Sequence, residues 1–551
     1  MSLMSKMLSK SAKLPPAETR LIGKERDLEI IMTDGAVLLA DHYYPLDLKN
    51  RPTIVTQSVY NNRKMGISNI EILVEQGFQV LVVSSRGTGG SSGVLNPFHQ
   101  ERSDCTDVIQ WLKQQSWFNG VLGTHGASYL GYTQWAFAAT GDECLKAMST
   151  CLVGANAYDF IYDGGAFNLE IFYAWIGMVD ALNKSFFAHL KNSILGTKKR
   201  SENLKSLPLE SLDVSQTGKE ENYWREWLAH PSKEDKYWIS ANFQKDISKV
   251  DVPNHMVTGW YDVMLPSLMK DYDLLCSSGK RPFLTIGPWS HFEGEASFQS
   301  LHHSIIWMRA MLLGEKKLLR KNPVQVYVMG ANEWREYDSF PPTGIADQTL
   351  FLQPGKKLSK NKAPDSQPDT YIYDPSNPTP SVGGAYRMAG SGKSVVDNSE
   401  LEARNDVLIY ETEALINDLE IIGRCEVTLF FSSSVSCPDF FVRVCDVHPN
   451  GASYNVCDGI LRVAPENKQY QGEEVYKITV ELAPTAYRFL KGHKIRLQVS
   501  SGSFPRFNRN LGTNDSIGKD TTFVKAKQQI FHDQLLSSCI YLPVMNGALN
   551  N

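Results

Sequence analysis

The stretch GTHGASYLGY, residues 123–132, constrains the fold of this chain more than any other. It joins an apolar run to a segment with helical spacing of Tyr132, Trp135, Ala136 and Ala139, and it holds Ser128 between Gly126 and Gly131. A strand, a sharp glycine-rich turn and a helix are what lift a serine hydroxyl above the edge of a sheet. The pattern Gly126-x-Ser128-x-x-Gly131 is one residue longer than the usual G-x-S-x-G, with Leu130 where the last glycine would stand. The surrounding sequence agrees with such a turn. IVTQSV and QVLVVSS read as buried strands, and SNIEILVEQ and CTDVIQWLKQQ carry apolar residues at helical spacing. Strands alternating with helices imply a parallel sheet covered on both faces. HMVTGWYD and RPFLTIGPWSH resume the pattern after residue 254.

A chain of 551 residues exceeds one core, and its character changes along its length. An α/β domain over 25–149 resumes over 245–322, around a helical insertion at 150–244 that is rich in clustered aromatics. The Lys-rich stretch GTKKRSENLKSLPLESLDVSQTGKEE within it reads as an exposed loop. From 323 to 551 short strands alternate with turn signals, including an Asn450-Gly451 hairpin, as in an all-β sandwich or jelly roll. Residues 350–384, rich in proline and lysine, are expected to be largely a surface excursion. The N-terminal segment MSLMSKMLSKSAKLPP has Lys6, Lys10 and Lys13 breaking every apolar run. It lacks a signal-peptide core and reads as a mobile arm.

A net charge of -4 leaves no basic footprint for nucleic acid. No apolar stretch approaches the roughly 18 residues that span a bilayer. Nine cysteines without a CxxC pair are expected as reduced thiols in a cytoplasmic protein, and nothing calls for a metal or an organic cofactor. A homodimer is carried as an open alternative.

Whether Ser128 is a nucleophile depends on a base and an acid elsewhere. In hydrolases built on such a turn, the acid and then the histidine follow the serine. Asp262 ends the apolar strand of HMVTGWYD, and His291 ends the next, FLTIGPWSH. Both lie beyond carboxyl ends of strands, where a parallel sheet exposes its functional loops. Alone, each has a bland reading, as a helix-capping aspartate and a surface histidine.

Several motifs together carry a family resemblance: GASYLGYTQW, GWYD, GPWSH, RGTGGSSG, DGAVLLADHYYP, ERSDCTDVIQWLKQQSWFNG and APTAYRFLKGHKIRLQVSSGSFPRFNRNLGT. From about residue 25 to 545 the chain resembles the CocE/NonD hydrolases, the family of cocaine esterase, glutaryl-cephalosporin acylases and X-Pro dipeptidyl peptidases. The resemblance implies an α/β-hydrolase domain with an inserted helical cap, followed by a jelly roll. It implies a triad of Ser128, Asp262 and His291. It also implies an oxyanion hole made by the Tyr60 hydroxyl and the backbone N–H of Tyr129. The family's acid two residues before the arginine of its RG motif is here Ser84, which withdraws a salt bridge from Arg86. The loop after Tyr60, NNRKMG, is short and basic.

The substrate implied is a small ester or amide cleaved through an acyl-enzyme, with an X-Pro-type dipeptidyl peptidase as alternative. Family members that bind an α-amine carry acids two and three residues after the catalytic aspartate. Met264 and Leu265 stand there instead and suggest an apolar acyl pocket. Asp163 and Glu293 are the remaining candidate ammonium anchors. Phe167, Phe172, Tyr173 and Trp175 wall such a pocket or simply pack a core, since their spacing is near-helical. The arginines of RFNRN, residues 506–510, face the hydrolase domain or bind their neighbours. A non-enzymatic alternative is a carbohydrate-binding jelly roll beside a degenerate hydrolase domain.

Overall fold

The computed structural model describes residues 3–61, 63, 67–185, 200–385, 393–464, 469–472, 474–513 and 515–546. The chain divides into two units. The first comprises Met1–Phe160, Gly177–Ile194 and Glu234–Val324, and the second Ile161–Ile176, Leu195–Lys233 and Gln325–Asn551. The insertion expected at 150–244 is therefore shared between them rather than standing alone.

The strands as far as residue 290 are β1 (Ile22–Ile31), β2 (Val37–Pro45), β3 (Thr53–Ser58), β4 (Gln79–Ser84), β5 (Leu122–Ala127), β6 (Leu145–Cys151), β7 (Tyr162–Asp163), β8 (Ala166–Phe167), β9 (Asn254–Tyr261) and β10 (Phe283–Ser290). In the first unit they lie in the order β1-β2-β4-β3-β5-β6-β9-β10. Pairs from β4 through β10 are parallel, and β1 and β2 add an antiparallel edge. Every residue of β3, β4 and β9 is buried, which is what near-continuous apolar runs predict for a sheet covered on both faces. The helices used below are α1 (Leu3–Ser11), α2 (Ile67–Glu75), α3 (Glu101–Lys113) and α4 (Tyr129–Ala138).

The N-terminal segment is not a mobile arm. It forms α1, the Ser5 hydroxyl bonds Glu75 of α2 at 2.6 Å, and the carbonyl of Ala12 meets His302 Nδ1 at 2.8 Å. Leu8, Ala12 and Leu14 join the apolar cluster under α2, so the lysines that break the linear hydrophobic run leave a helical apolar face intact.

The second unit combines helical segments of the insertion, such as Asn222–Ala229, with an all-β domain whose core includes Leu350, Leu352, Leu358, Tyr371 and Tyr373. Most of 350–384 is exposed or half-buried, as expected, but it is not one excursion: Ile345–Gln353, Lys357–Ser359 and Asp369–Tyr373 are strands that send these residues into the core. Proline and lysine between them disguise a two-residue period. The expected hairpin at Asn450-Gly451 joins antiparallel strands Asp439–Val447 and Ser453–Arg462, with Gly451 at φ +90°. β7 and β8 form a two-stranded ribbon whose Ala166 packs on Phe441, Ile460 and Phe507. The Lys-rich stretch of the insertion is not simply exposed. Leu204, Leu209 and Leu212 are buried, and Asp213 is fully buried against Arg225 at 3.0 Å. Residues 186–199 lie outside the described residues.

Candidate active site

Ser128 sits between β5 and α4 at φ +58°, ψ -127°, a conformation that costs a non-glycine residue on the order of 1–3 kcal/mol. The glycines explain how the turn closes. Gly126 has φ +146°, and a Cβ there would lie 2.3 Å from Leu130 Cβ. A Cβ on Gly131 would lie 2.5 Å from Val153 Cγ1 and 3.0 Å from the carbonyl oxygen of Cys151. Here Gly131, not residue 130, is the position where α4 crosses the end of β6, so the motif is one residue longer.

Asp262 and His291 follow β9 and β10, which are paired in parallel with Gly259 opposite Gly287. The Trp289 ring fills the space a side chain on Gly287 would take, and its carbonyl lies where a Gly259 Cβ would. The register shifts just beyond, pairing Ser290 with Tyr261, and brings both functional side chains to one edge. His291 Nδ1 lies 2.7 Å from Asp262 Oδ1, and Nε2 lies 3.1 Å from Ser128 Oγ. A proton shared with a carboxylate at Nδ1 leaves the Nε2 lone pair facing the serine. Asp262, 1% exposed, also accepts from the Thr258 hydroxyl at 2.9 Å and from the Met264 N–H at 3.0 Å. No local motif marks Thr258 or the Met264 amide as partners of Asp262, although Thr258 lies four residues before it on β9.

Tyr60 follows β3, which pairs directly with β5, and its ring meets that of Tyr129 edge-on at 6.3 Å. Tyr129 opens α4. Its hydroxyl bonds the fully buried carboxyl of Glu101 at the start of α3 and accepts the Phe98 N–H at 3.3 Å. Burial pushes the Glu101 carboxyl up to about 7, against the Tyr129 hydrogen bond, which lowers it. Burial likewise pushes the Tyr129 phenol well above its ordinary value. This buried pair was not singled out beforehand, since a glutamate at a helix start reads as an ordinary dipole partner.

The structure supplies the salt bridge that Ser84 withdraws. Asp104 and Asp34 both bind Arg86, at 2.8 and 2.7 Å. In the loop after Tyr60 the described Arg63 turns inward onto Asp41 at 2.7 Å, and the rest of NNRKMG beyond Asn61 lies outside the described residues.

Met264 and Leu265 are both buried, and Leu265 is 0% exposed. In the second unit Phe167, Phe172 and Trp175 are buried in an aromatic cluster, with Phe167 against Trp224 and Phe172 against Trp227. Tyr173 bonds Asn203 Nδ2 through its hydroxyl at 2.9 Å. Asp163 faces the Arg506 guanidinium at 4.0 Å, and Arg506 also binds Asp458 at 2.6 Å. RFNRN thus holds its own neighbours, with Asn508 Oδ1 accepting the Phe167 N–H at 2.9 Å. Glu293 is exposed just before the helix Gly294–Leu312.

Residues 34–293 match X-Pro dipeptidyl-peptidase (S15 family), and residues 318–535 match the X-Pro dipeptidyl-peptidase C-terminal non-catalytic domain. The chain belongs to this family of serine hydrolases. Cocaine esterase of Rhodococcus sp. (strain MB1 Bresler) is 27% identical over 541 residues, covering 89% of this chain and 92% of that protein. Two solved structures share the fold. An aminopeptidase from a marine sediment archaeon, Thaumarchaeota archaeon, superposes with a TM-score of 0.79 at 23% identity, covering 97% of this chain and 98% of the other. A CocE/NonD family hydrolase from Staphylococcus aureus does so at 0.70 and 17% identity, covering 97% and 99%. Such matches span the α/β-hydrolase-like unit and the C-terminal all-β domain alike. Among the described residues, no helix is long and apolar enough to cross a membrane.

Proposed function

We propose that this S15-family member cleaves small carboxylic esters with Ser128 as nucleophile, His291 as general base and acid, and Asp262 as its orienting carboxylate. The observation that carries this reading is the unbroken relay from Ser128 Oγ to His291 Nε2 at 3.1 Å and from Nδ1 to Asp262 at 2.7 Å. Ser128 Oγ attacks the carbonyl carbon while Nε2 takes its proton, and Asp262 holds the imidazole and stabilises the imidazolium. Negative charge then develops on the former carbonyl oxygen. The Tyr129 N–H, first amide of α4, and the Tyr60 hydroxyl are the donors we assign to it. Collapse expels the alcohol, protonated from Nε2, and leaves an ester on Ser128. Water activated by the same imidazole then hydrolyses it.

Apolar Met264 beside Asp262 and Asp163 answered by Arg506 support a substrate without a free α-amine. An unpaired ammonium buried beside Met264 is costly. Cocaine esterase, a relative over nearly the whole chain, carries an esterase name. All nine cysteines are free thiols, which supports a reducing compartment, and we place the enzyme in the cytoplasm.

The test is a panel of aryl esters, glutaryl amides and X-Pro-anilides assayed with the wild type and Ser128→Ala, together with fluorophosphonate labelling. Wild type should label once, and Ser128→Ala should not label and should lose roughly 10⁴-fold or more of turnover. Aryl esters should exceed the amine-bearing substrates at least tenfold. A variant that keeps most of its turnover refutes the nucleophile. Faster cleavage of an X-Pro-anilide than of its N-acetylated form refutes the substrate class.

A further inference from the structure

The all-β domain carries a second cluster of chemistry-bearing side chains. Asp446 and His448 are two residues apart at the end of the strand Asp439–Val447, so the two-residue period turns both to one face. That strand pairs antiparallel with Lys494–Ser500, with Val447 opposite Lys494 and Asp446 opposite Ile495. One step further, the same register sets His493 opposite His448. Their rings lie 4.4 Å apart.

The donor atoms converge. His493 Nδ1 is 2.9 Å from Asp446 Oδ1, and His448 Nε2 is 3.4 Å from Asp446 Oδ2. One ligand atom from each of the three residues lies within 4.8 Å of the others. Four-coordinate zinc with bonds of about 2.1 Å has ligand–ligand edges of about 3.4 Å. Asp446 Oδ2 lies 3.4 Å from His448 Nε2 and 3.0 Å from His493 Nδ1, close to such edges, and rotation of the imidazoles would set the third. The carboxylate is already oriented from behind, since the Tyr487 hydroxyl donates to Asp446 Oδ2 at 2.9 Å. Such outer hydrogen bonds fix ligand direction in metal sites. Asp446 is buried while the His448 side chain is 37% exposed, giving a cation a path from solvent.

We propose that Asp446, His448 and His493 form a surface site for a divalent transition cation of the zinc class, with water completing the coordination. Two imidazoles and one carboxylate favour zinc over the hard cations, which need more oxygen ligands. The site stands apart from Ser128 in sequence and in unit, and the proposal is independent of the hydrolytic reading.

Its test is isothermal titration of untagged, chelator-treated full-length protein with zinc chloride at neutral pH, and with magnesium chloride in parallel. Wild type should show one saturable zinc site and no magnesium site at the same concentrations. His448→Ala, a change at an exposed side chain, should weaken zinc at least tenfold while leaving ester hydrolysis and melting temperature without metal unchanged. His493→Ala should weaken it similarly. Tyr487→Phe should weaken it less, by removing only the bond behind Asp446. Absence of saturable zinc binding in the wild type overturns the proposal, as does binding that His448→Ala leaves intact.

Discussion

At the scale of single residues, the site depends on one hydrogen-bonded line and the groups that aim it. Thr258 and the Met264 N–H occupy Asp262 from two sides, so the carboxylate has one direction left in which to receive His291. The most specific residue assignment is Tyr60 as an oxyanion donor. Tyr60→Phe keeps the ring that packs edge-on against Tyr129 and removes only the hydroxyl. A preorganised donor matters more in the transition state than in the substrate complex. The expected loss is therefore in kcat, on the order of 10²- to 10³-fold, with KM nearly unchanged. Steady-state kinetics on a chemically limited aryl ester measure this. A variant that turns over like its parent removes Tyr60 from the mechanism.

At the scale of elements, the turn from β5 into α4 is held from both sides. Gly131→Ala would press a Cβ on the end of β6 and should cost about 1–3 kcal/mol, read as a lower melting temperature with reduced turnover. Under the same turn, α3 meets α4 through Glu101 and Tyr129. A carboxyl raised to about 7 by burial binds its proton more tightly in the fold than in the unfolded chain. Its contribution to stability is full below about pH 4.3 and is lost as pH rises toward 7. Glu101→Gln should flatten that loss, so melting temperatures at pH 5 and 7.5 should differ less in the variant than in the wild type. The strand–turn–helix at Ser128 and the parallel sheet around it were legible because local periodicity and glycine placement encode them. Strand Asp369–Tyr373 was not, because proline-rich flanks outweigh five alternating residues. Nor was the pairing of His448 with His493, which exists only through strand register. The Asp104 and Asp34 bridges to Arg86 escaped for the same reason: the partners lie on other elements.

For the whole molecule, acid is the vulnerability built into the first unit. Burial lowers His42 to about 4 and His303 to about 3, and it lowers His255 well below its ordinary value. A histidine held neutral by the fold but free to charge when unfolded contributes stability that is present above about pH 6.5 and lost as pH falls toward 4. This acts opposite to Glu101, Asp104 and Asp271, whose carboxyls burial raises. With His125, also lowered to about 4, the histidines are more numerous, so the protein should melt at a lower temperature at pH 4.5 than at pH 7. His42→Gln, which removes one such proton acceptor, should lessen the difference. An equal or higher melting temperature at pH 4.5 would contradict the buried histidines' role. The docked α1 bears on how the protein can be handled. Trimming residues 1–14 from an expression design would strip Leu8, Ala12 and Leu14 from the cluster under α2 and leave the His302 and Glu75 side chains without Ala12 and Ser5. The shortened protein should be recovered mainly in the insoluble fraction, although every residue around Ser128 would still be present.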